Sequence, residues 1–579
     1  MKSIKYHKYL ILLGLTLVSI CINGYHFEYA DQEIYLAYLP VYTDSHAYPE
    51  SDLLMLGKQT GGNYYTYLWL LLIPFYHVFG LEWTCFMIHI LNIYLIYLAL
   101  YFLIKRMLSI AAEQQTPARL YFGLTIPILL ALVLLVTKKF VAGVSMVTIE
   151  PYLHPRNMAL VFLLFAIERY LAEKPILAFC LIGLAANIHI LSAAIVLFAM
   201  VISIFIEKHG KITKKELIAG LGFVLCSAPV WLWILISSKR AIGSSIATST
   251  WVSILQYRTS YLFPQYWDRL GWLAFLSILM MFAIGYYTNR DALVHRKKVL
   301  GLIVGLLVLI IFGFIFSELV PIPWLIAFQS IRSIQFLIIL SIILLVPYLI
   351  KLWRIDWIGK LCAIGLGIGV FLFEPKTILI FLIVSSIYLT LATRITKSIK
   401  WGFAGILILS GLIAIPFLWS RVTTKLHRQV DLSQGFQAVL IYIQIPGTSV
   451  STPWQEVQLW ANQHSKSDSI WLTPPYISGF RLRSYRSPIV EWKDGALGIF
   501  NPIYAGAWYR RMQDFGISNQ VDTRFHSLLF LSLTNEELNR IAAKYQAQYM
   551  VVEKPKTIAA PLLYSNKQFN VYQVVGATQ

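Results

Sequence analysis

Charge is what this 579-residue chain has least of: 13% of its residues are Asp, Glu, Lys or Arg, against about 25% in an ordinary soluble domain. With 58% hydrophobic residues, such a chain needs lipid as part of its solvent, and a wholly soluble protein is excluded. Acidic residues are scarcer than basic ones, 28 against 48, giving a formal charge of +20. That excess is not gathered on one soluble face, as a nucleic-acid partner requires. It lies mainly between apolar runs, where short cytoplasmic loops collect Lys and Arg, so no nucleic-acid partner is expected. Cysteine is also sparse. Cys21, Cys85, Cys180, Cys226 and Cys362 lie within or at the ends of apolar runs and none is in the C-terminal tail, which indicates neither a disulfide framework nor a thiolate metal site. No internal repeat or low-complexity linker is evident. No clear small-residue cleavage site follows Lys2, Lys5, Lys8 and the apolar stretch 9–22, so the start reads as an uncleaved first span.

What the chain does have is a succession of apolar runs near or above the roughly 20 residues that cross a bilayer, from Tyr9 to Trp419. Positive-rich connectors follow at 105–119, 208–215, 290–298, 351–360 and 394–400. If all are cytoplasmic, the alternation closes on one condition, that 64–79 does not cross. Sixteen residues of helix reach about 24 Å, less than the hydrocarbon core of about 30 Å, and Pro74 interrupts the run. It is therefore expected as a re-entrant or interfacial helix. The crossings are then 9–24, 83–104, 118–136, 157–172, 175–188, 190–206, 217–236, 271–287, 299–316, 331–350, 358–373, 377–392 and 401–419. About 13 spans make a polytopic α-helical membrane domain over 1–420, with the N-terminus cytoplasmic. The odd number places 421–579 outside as an extracytoplasmic domain.

That tail reads as α/β. Thr452, Pro453 and Gln455 supply an N-cap, a first-turn proline and a capping-box glutamine before a helix over 454–464. A strand-like 469–473 leads to the turn Pro474, Pro475, Thr534 with Glu537 opens a second helix, and β-branched 549–553 and alternating 569–575 read as strands.

The polar chemistry concentrates in the outer loops. Glu28, Asp31 and Glu33 follow the first span, and either a helical or an extended backbone puts two of them on one face. Such a pair can deprotonate a hydroxyl or hold a divalent cation, Mg or Mn, through Asp31 and Glu33; a solvated acidic loop is the plain alternative. Asp44, Glu50 and Asp52 can be further ligands or surface. Lys138, Lys139, Glu150, His154 and Arg156 break the inside-positive trend and suit the grip of a phosphate, or else an interfacial snorkel or an ion pair with Glu150. His189 sits in a break between two short spans, as a phosphate or sugar contact or as a helix-cap partner. Arg332, just inside an apolar segment, needs an anion or a carboxylate such as Glu318. Tyr257 and Arg258 belong to an aromatic-rich loop, either as acceptor or sugar contacts, since sugars stack on aromatic faces, or as part of an interfacial belt. In the tail, Arg481, Arg486, Trp492 and Lys493 form a cationic and aromatic surface, either over an acceptor or for docking on the membrane part.

This layout, with an acidic first outer loop, a membrane-surface helix, a His-Pro-Arg entry at 154–156 and His189 between short spans, resembles the GT-C superfamily of polyprenyl-phosphate-sugar-dependent glycosyltransferases. The tail pattern Thr473-Pro-Pro, Gly479-Phe-Arg481, Arg486 and Glu491-Trp-Lys493 looks like an uncharacterised bacterial membrane-protein family of unknown function. No Trp-Trp-Asp sequence is present, and the first loop has Asp-Gln-Glu where protein mannosyltransferase relatives have Asp-Glu. The resemblance implies an inverting transfer at the outer face of a bacterial inner or plasma membrane. A sugar would pass from a polyprenyl-phosphate donor to a glycan, lipid or protein acceptor. Asp31 would be the general base, with Glu28 or Glu33 orienting the acceptor or a cation, and Arg156, Arg332, Lys138, Lys139, His154 and His189 would hold the donor phosphate. A transporter would instead place carboxylates at mid-span and show two related halves, and mid-span carboxylates are nearly absent here. A non-catalytic cell-envelope assembly protein would tolerate charge removal in the first loop.

Overall fold

The computed structural model describes residues 4–44, 47–60, 65–108, 126–238, 246–291, 293, 295–391, 402, 405, 443–447, 451–517 and 525–574. The expected crossing 401–419 apart from residues 402 and 405, residues 118–125 of the crossing 118–136, and the domain boundary at 420 lie outside them. Among the described residues, six helices are long and apolar enough to cross a membrane: Leu81–Leu108, Ile190–Glu207, Lys214–Ser237, Arg269–Asn289, Arg296–Leu319 and Pro323–Trp353. Shorter apolar helices include His7–Asn23, Pro175–Ile188, Trp357–Leu372 and Pro375–Leu391. By these helices the chain is an integral membrane protein.

Local sequence sets the helix entries. Pro155, Pro175 and Pro375 open their helices where no intrahelical N–H is needed. Asp356 accepts from the N–H groups of Ile358 and Gly359, both at 3.1 Å, and caps Trp357–Leu372. Small residues then let helices approach. A Cβ on Gly305 would stand 2.7 Å from the Cα of Ala199, and one on Gly285 would stand 2.8 Å from the backbone of Leu344, the close contact that drives association where apolar burial cannot.

The bundle has two chemically different ends. At one, Arg106 pairs with Glu168 at 3.3 Å, Lys298 pairs with Glu173 and, at 3.7 Å, with Glu207, and Lys208 pairs with Glu216 at 2.5 Å. These contacts gather three of the basic connectors, 105–119, 208–215 and 290–298. The other end carries the first loop and the tail. The helix Leu68–Phe79 is tied at its start, where Tyr67 donates its N–H to Asn187 O at 2.8 Å and its hydroxyl to Pro229 O at 3.2 Å. The helix has 12 residues with Pro74 inside, about 18 Å of helix against a hydrocarbon core of about 30 Å.

The tail contains a five-stranded sheet: β1 (Ile470–Leu472), β2 (Ser487–Pro488), β3 (Tyr549–Glu553), β4 (Leu562–Ser565) and β5 (Phe569–Gln573), in the order β2-β1-β3-β5-β4. β1 is parallel to β2 and β3, and β5 is antiparallel to β3 and β4. Trp471, Phe480, Val551, Phe569 and Val571 fill one side of it. Both expected capping boxes form, at Thr452 with Gln455 and at Thr534 with Glu537.

The tail is anchored on the first loop through a buried charge cluster. Arg481 reaches Asp52 at 3.1 Å, Asp494 at 2.9 Å and Glu491 at 3.3 Å. Asp52 also accepts from Ser487 Oγ at 2.5 Å. Around this knot, Asn501 donates to Thr60 O at 2.9 Å, Arg483 pairs with Glu28 and Glu82 at 2.6 Å each, and Gln455 donates to Glu28 at 2.7 Å.

Candidate functional site

The first helix ends at Asn23, and the chain turns sharply before the short helix Gln32–Tyr35. Glu28 and Ala30 both take φ +54°, a left-handed backbone that costs a residue with a Cβ about 1–2 kcal/mol. The turn projects Asp31 into a recess under the tail. Asp31 Oδ1 lies 2.8 Å from Lys493 Nζ, and Oδ2 lies 3.1 Å from His154 Nε2. Its side chain keeps 36% of its surface open, while that of His154 keeps 2%.

His154 is the N-cap of Pro155–Leu171, with Nδ1 accepting from Arg156 N at 2.8 Å. That bond leaves the ring proton on Nε2, aimed at Asp31. Burial, followed by the charge of Arg156, pushes His154 down to about 4, so at neutral pH it is a neutral donor. Burial works against an ionised Asp31. The charge of Lys493 and the His154 hydrogen bond outweigh it and leave this carboxyl well below the usual range.

Glu33, two residues on, meets other neighbours. Its carboxyl has no hydrogen-bond or ion-pair partner among the described residues, and the Gly479 backbone passes beside it. A Cβ on Gly479 would lie 3.5 Å from Glu33 Cγ. Burial first, then the charges of Asp31 and Glu28, raise Glu33 to about 7 against the opposing charge of Lys493.

Two guanidinium groups lie within electrostatic reach of Asp31 and His154. Arg258 ends the helix Thr248–Arg258, donates from Nε to Trp492 O at 2.9 Å and stacks 4.9 Å from the Trp492 ring centre. The charge of Asp31 acts on it. Arg332 follows Gln329, which is left-handed at φ +53°. It reaches only the Tyr261 hydroxyl, at 3.5 Å, and its buried Nε has no hydrogen-bond partner among the described residues. Its charge acts on His154 and His189. Glu318, a possible partner on sequence grounds, instead accepts from Gln265 N at 2.8 Å. Neither Arg258 nor Arg332 has a carboxylate partner among the described residues.

Other residues singled out in the sequence are placed differently. Arg156 is buried in an ion pair with Glu150. Lys138 Nζ donates to Asn23 O at 3.0 Å, and Lys139 Nζ to Thr137 and, at 2.8 Å, to Phe371 O. His189 caps Ile190–Glu207 by accepting from Ser192 N at 3.2 Å, with its ring centre 6.1 Å from that of His154. Tyr257 is packed against Trp492, Trp508, Tyr509 and His526. Arg481 is inside the charge cluster. Arg486 is spent on the carbonyls of Asn462 and Ser465, both at 2.7 Å. Of the tail residues expected to meet an acceptor, Trp492 and Lys493 border the recess.

The Asp31–Glu33 pair does not fit a divalent cation. The Lys493 ammonium already takes the cation position at Asp31, 2.8 Å from Oδ1, and among the described residues no group of three or more His, Cys, Asp or Glu is arranged to hold a metal. We therefore derive no step through one. Sequence reasoning gave Asp52 no structural role and did not pair Lys493 with Asp31. The partners are hundreds of residues apart, and no local pattern marks them.

Residues 452–515 match a family model described as a domain of unknown function, DUF6798, in keeping with the tail likeness read from residues 473–493. No curated protein matches the chain. Among solved structures, the chain is similar to the crystal structure of ArnT from Cupriavidus metallidurans bound to undecaprenyl phosphate, at 11% sequence identity and a TM-score of 0.36 over 98% of each chain. A superposition of that quality leaves the site to be argued from its own residues.

Proposed function

We propose that the protein is a membrane glycosyltransferase of GT-C type, moving a sugar from a polyprenyl phosphate to a glycan, lipid or protein hydroxyl at the tail-bearing face. One observation carries the reading: Arg258 and Arg332, two cations without carboxylate partners among the described residues, lie within electrostatic reach of the Asp31–His154 pair, Arg258 feeling the charge of Asp31 and Arg332 acting on His154. An anion facing a proton acceptor is the charge layout that such a transfer needs. The acceptor oxygen attacks the anomeric carbon, its proton passes to a carboxylate, and the sugar–phosphate C–O bond breaks with inversion. The departing polyprenyl phosphate takes the bonding electrons and meets Arg258 and Arg332. Asp31 was the base favoured by sequence. Its occupied oxygens, beside the free ones of Glu33, support giving the proton to Glu33 and leaving Asp31 to hold Lys493 and His154.

The test is transfer by the purified protein in proteoliposomes, supplied with polyprenyl-phosphate-linked labelled sugars and envelope extracts as acceptor. Labelled product that disappears in R258M and R332M is expected. Flux of a solute without any glycan product would replace this reading with transport.

A further inference from the structure

The tail does more than cover the recess. Between β2 and the helix Pro502–Asp514 it passes through Glu491, Trp492 and Lys493, three successive residues held in different ways. Glu491 is fixed in the buried cluster with Arg481 and accepts Phe480 N at 2.8 Å. Trp492 offers its carbonyl to Arg258 at 2.9 Å. Lys493 is thereby delivered to Asp31 Oδ1 at 2.8 Å, with only 20% of its side chain open. The carboxylate paired with this ammonium is Asp31, and its charge also acts on Glu33, two residues further along the first loop. The arrangement is that of a cation held at one carboxyl, Asp31, with its charge reaching a second, Glu33, except that the cation is covalently part of the chain.

We propose that Lys493 is the resident cation of this site, filling through the tail the place that a divalent ion would take at Asp31 and Glu33. A point charge with three donors can orient Asp31 and stabilise negative charge in the recess, and its anchorage at Glu491 means it need not be recruited from solution. The site then works without added metal, and removal of the ammonium leaves two facing carboxylates with the hard oxygen donors that Mg or Mn prefers. Lys493 is thus a positioning residue. Its part in transfer rests on the glycosyltransferase reading, but its occupancy of the cation place does not.

The experiment is an electron paramagnetic resonance titration of the full-length protein in nanodiscs with Mn²⁺. Wild type and Lys493→Arg, which keeps the charge, should bind no Mn²⁺ that Asp31→Asn removes. Lys493→Met should gain a Mn²⁺ site that is lost again in the double variant with Asp31→Asn. Unchanged melting of Lys493→Arg and Lys493→Met controls for folding. In the transfer assay, wild type should withstand a chelator, while Lys493→Met should fall by about a hundredfold and be partly restored by Mn²⁺. Mn²⁺ bound by wild type and abolished by Asp31→Asn, or the absence of a new site in a folded Lys493→Met, would overturn the proposal. If no variant transfers sugar, the enzymatic reading fails and the Mn²⁺ titration still decides the role of Lys493.

Discussion

Asp31 and Glu33 are two residues apart, yet one is held between an ammonium and an imidazole N–H and the other stands unpaired against like charges. A general base works best with its pKa near the working pH, and Glu33, raised to about 7, meets that condition. Because the base must be ionised, kcat/KM should rise with pH through about 7. Glu33→Gln should lose that limb together with about 10²–10⁴ of the rate, as read from a pH profile. Asp31→Asn should lower the rate and, by removing one of the charges that raise Glu33, move the midpoint down from about 7 toward the ordinary carboxylate range. Ala30, left-handed beside this pair, gives a separate expectation. Ala30→Gly relieves backbone strain, and its melting temperature should be equal to or above that of wild type.

At the scale of elements, the helices meet through small residues and begin at well-formed caps. Gly305→Leu would drive a side chain into the backbone at Ala199, separating Arg296–Phe314 from Ile190–Glu207. The expected result is loss of monodisperse protein on detergent extraction, whereas Gly220→Leu, where a Cβ meets nothing within 4 Å, should extract normally. In the tail, Thr534→Ala removes a reciprocal cap and should cost about 1 kcal/mol, seen as a lower unfolding midpoint. Most of these features were legible in sequence. Capping boxes and helix-opening prolines depend on residues within one turn, and the observed Pro453–His464, Tyr549–Glu553 and Phe569–Gln573 follow the expected elements closely. The 12-residue helix with Pro74 was legible as a short apolar helix, because length is a local property.

At the scale of the whole molecule, the tail and the first loop are held together around Arg481. Its one positive charge serves Asp52, Glu491 and Asp494, and burial, with the nearby Asp494, raises Glu491 to about 8 despite Arg481. A carboxyl whose folded value lies above its ordinary 4.5 contributes stability fully below that value and loses it as pH climbs through about 8. Melting of the intact protein should therefore fall between about pH 5 and about pH 9, with a smaller fall in Glu491→Gln, which mimics the protonated form. Arg481→Met leaves buried carboxylates without their cation and should cost about 3–5 kcal/mol, releasing the tail to proteases.

The sequence by itself determined the apolar helices, the short helix at 68–79, the capped elements of the tail and the acidic first loop, since each depends on neighbours a few residues away. Only the tertiary structure decided which charges are spent and which are left. Arg156, Lys138, Lys139, Arg481 and Arg486 are consumed by nearby carboxylates and carbonyls, while Arg258 and Arg332 meet no carboxylate among the described residues. Asp52 meets Arg481, 429 residues away, and Asp31 meets Lys493, because folding sets those distances independently of any local pattern. Electrostatic roles depend on separation in space and on burial, and neither is encoded in a residue's type or spacing.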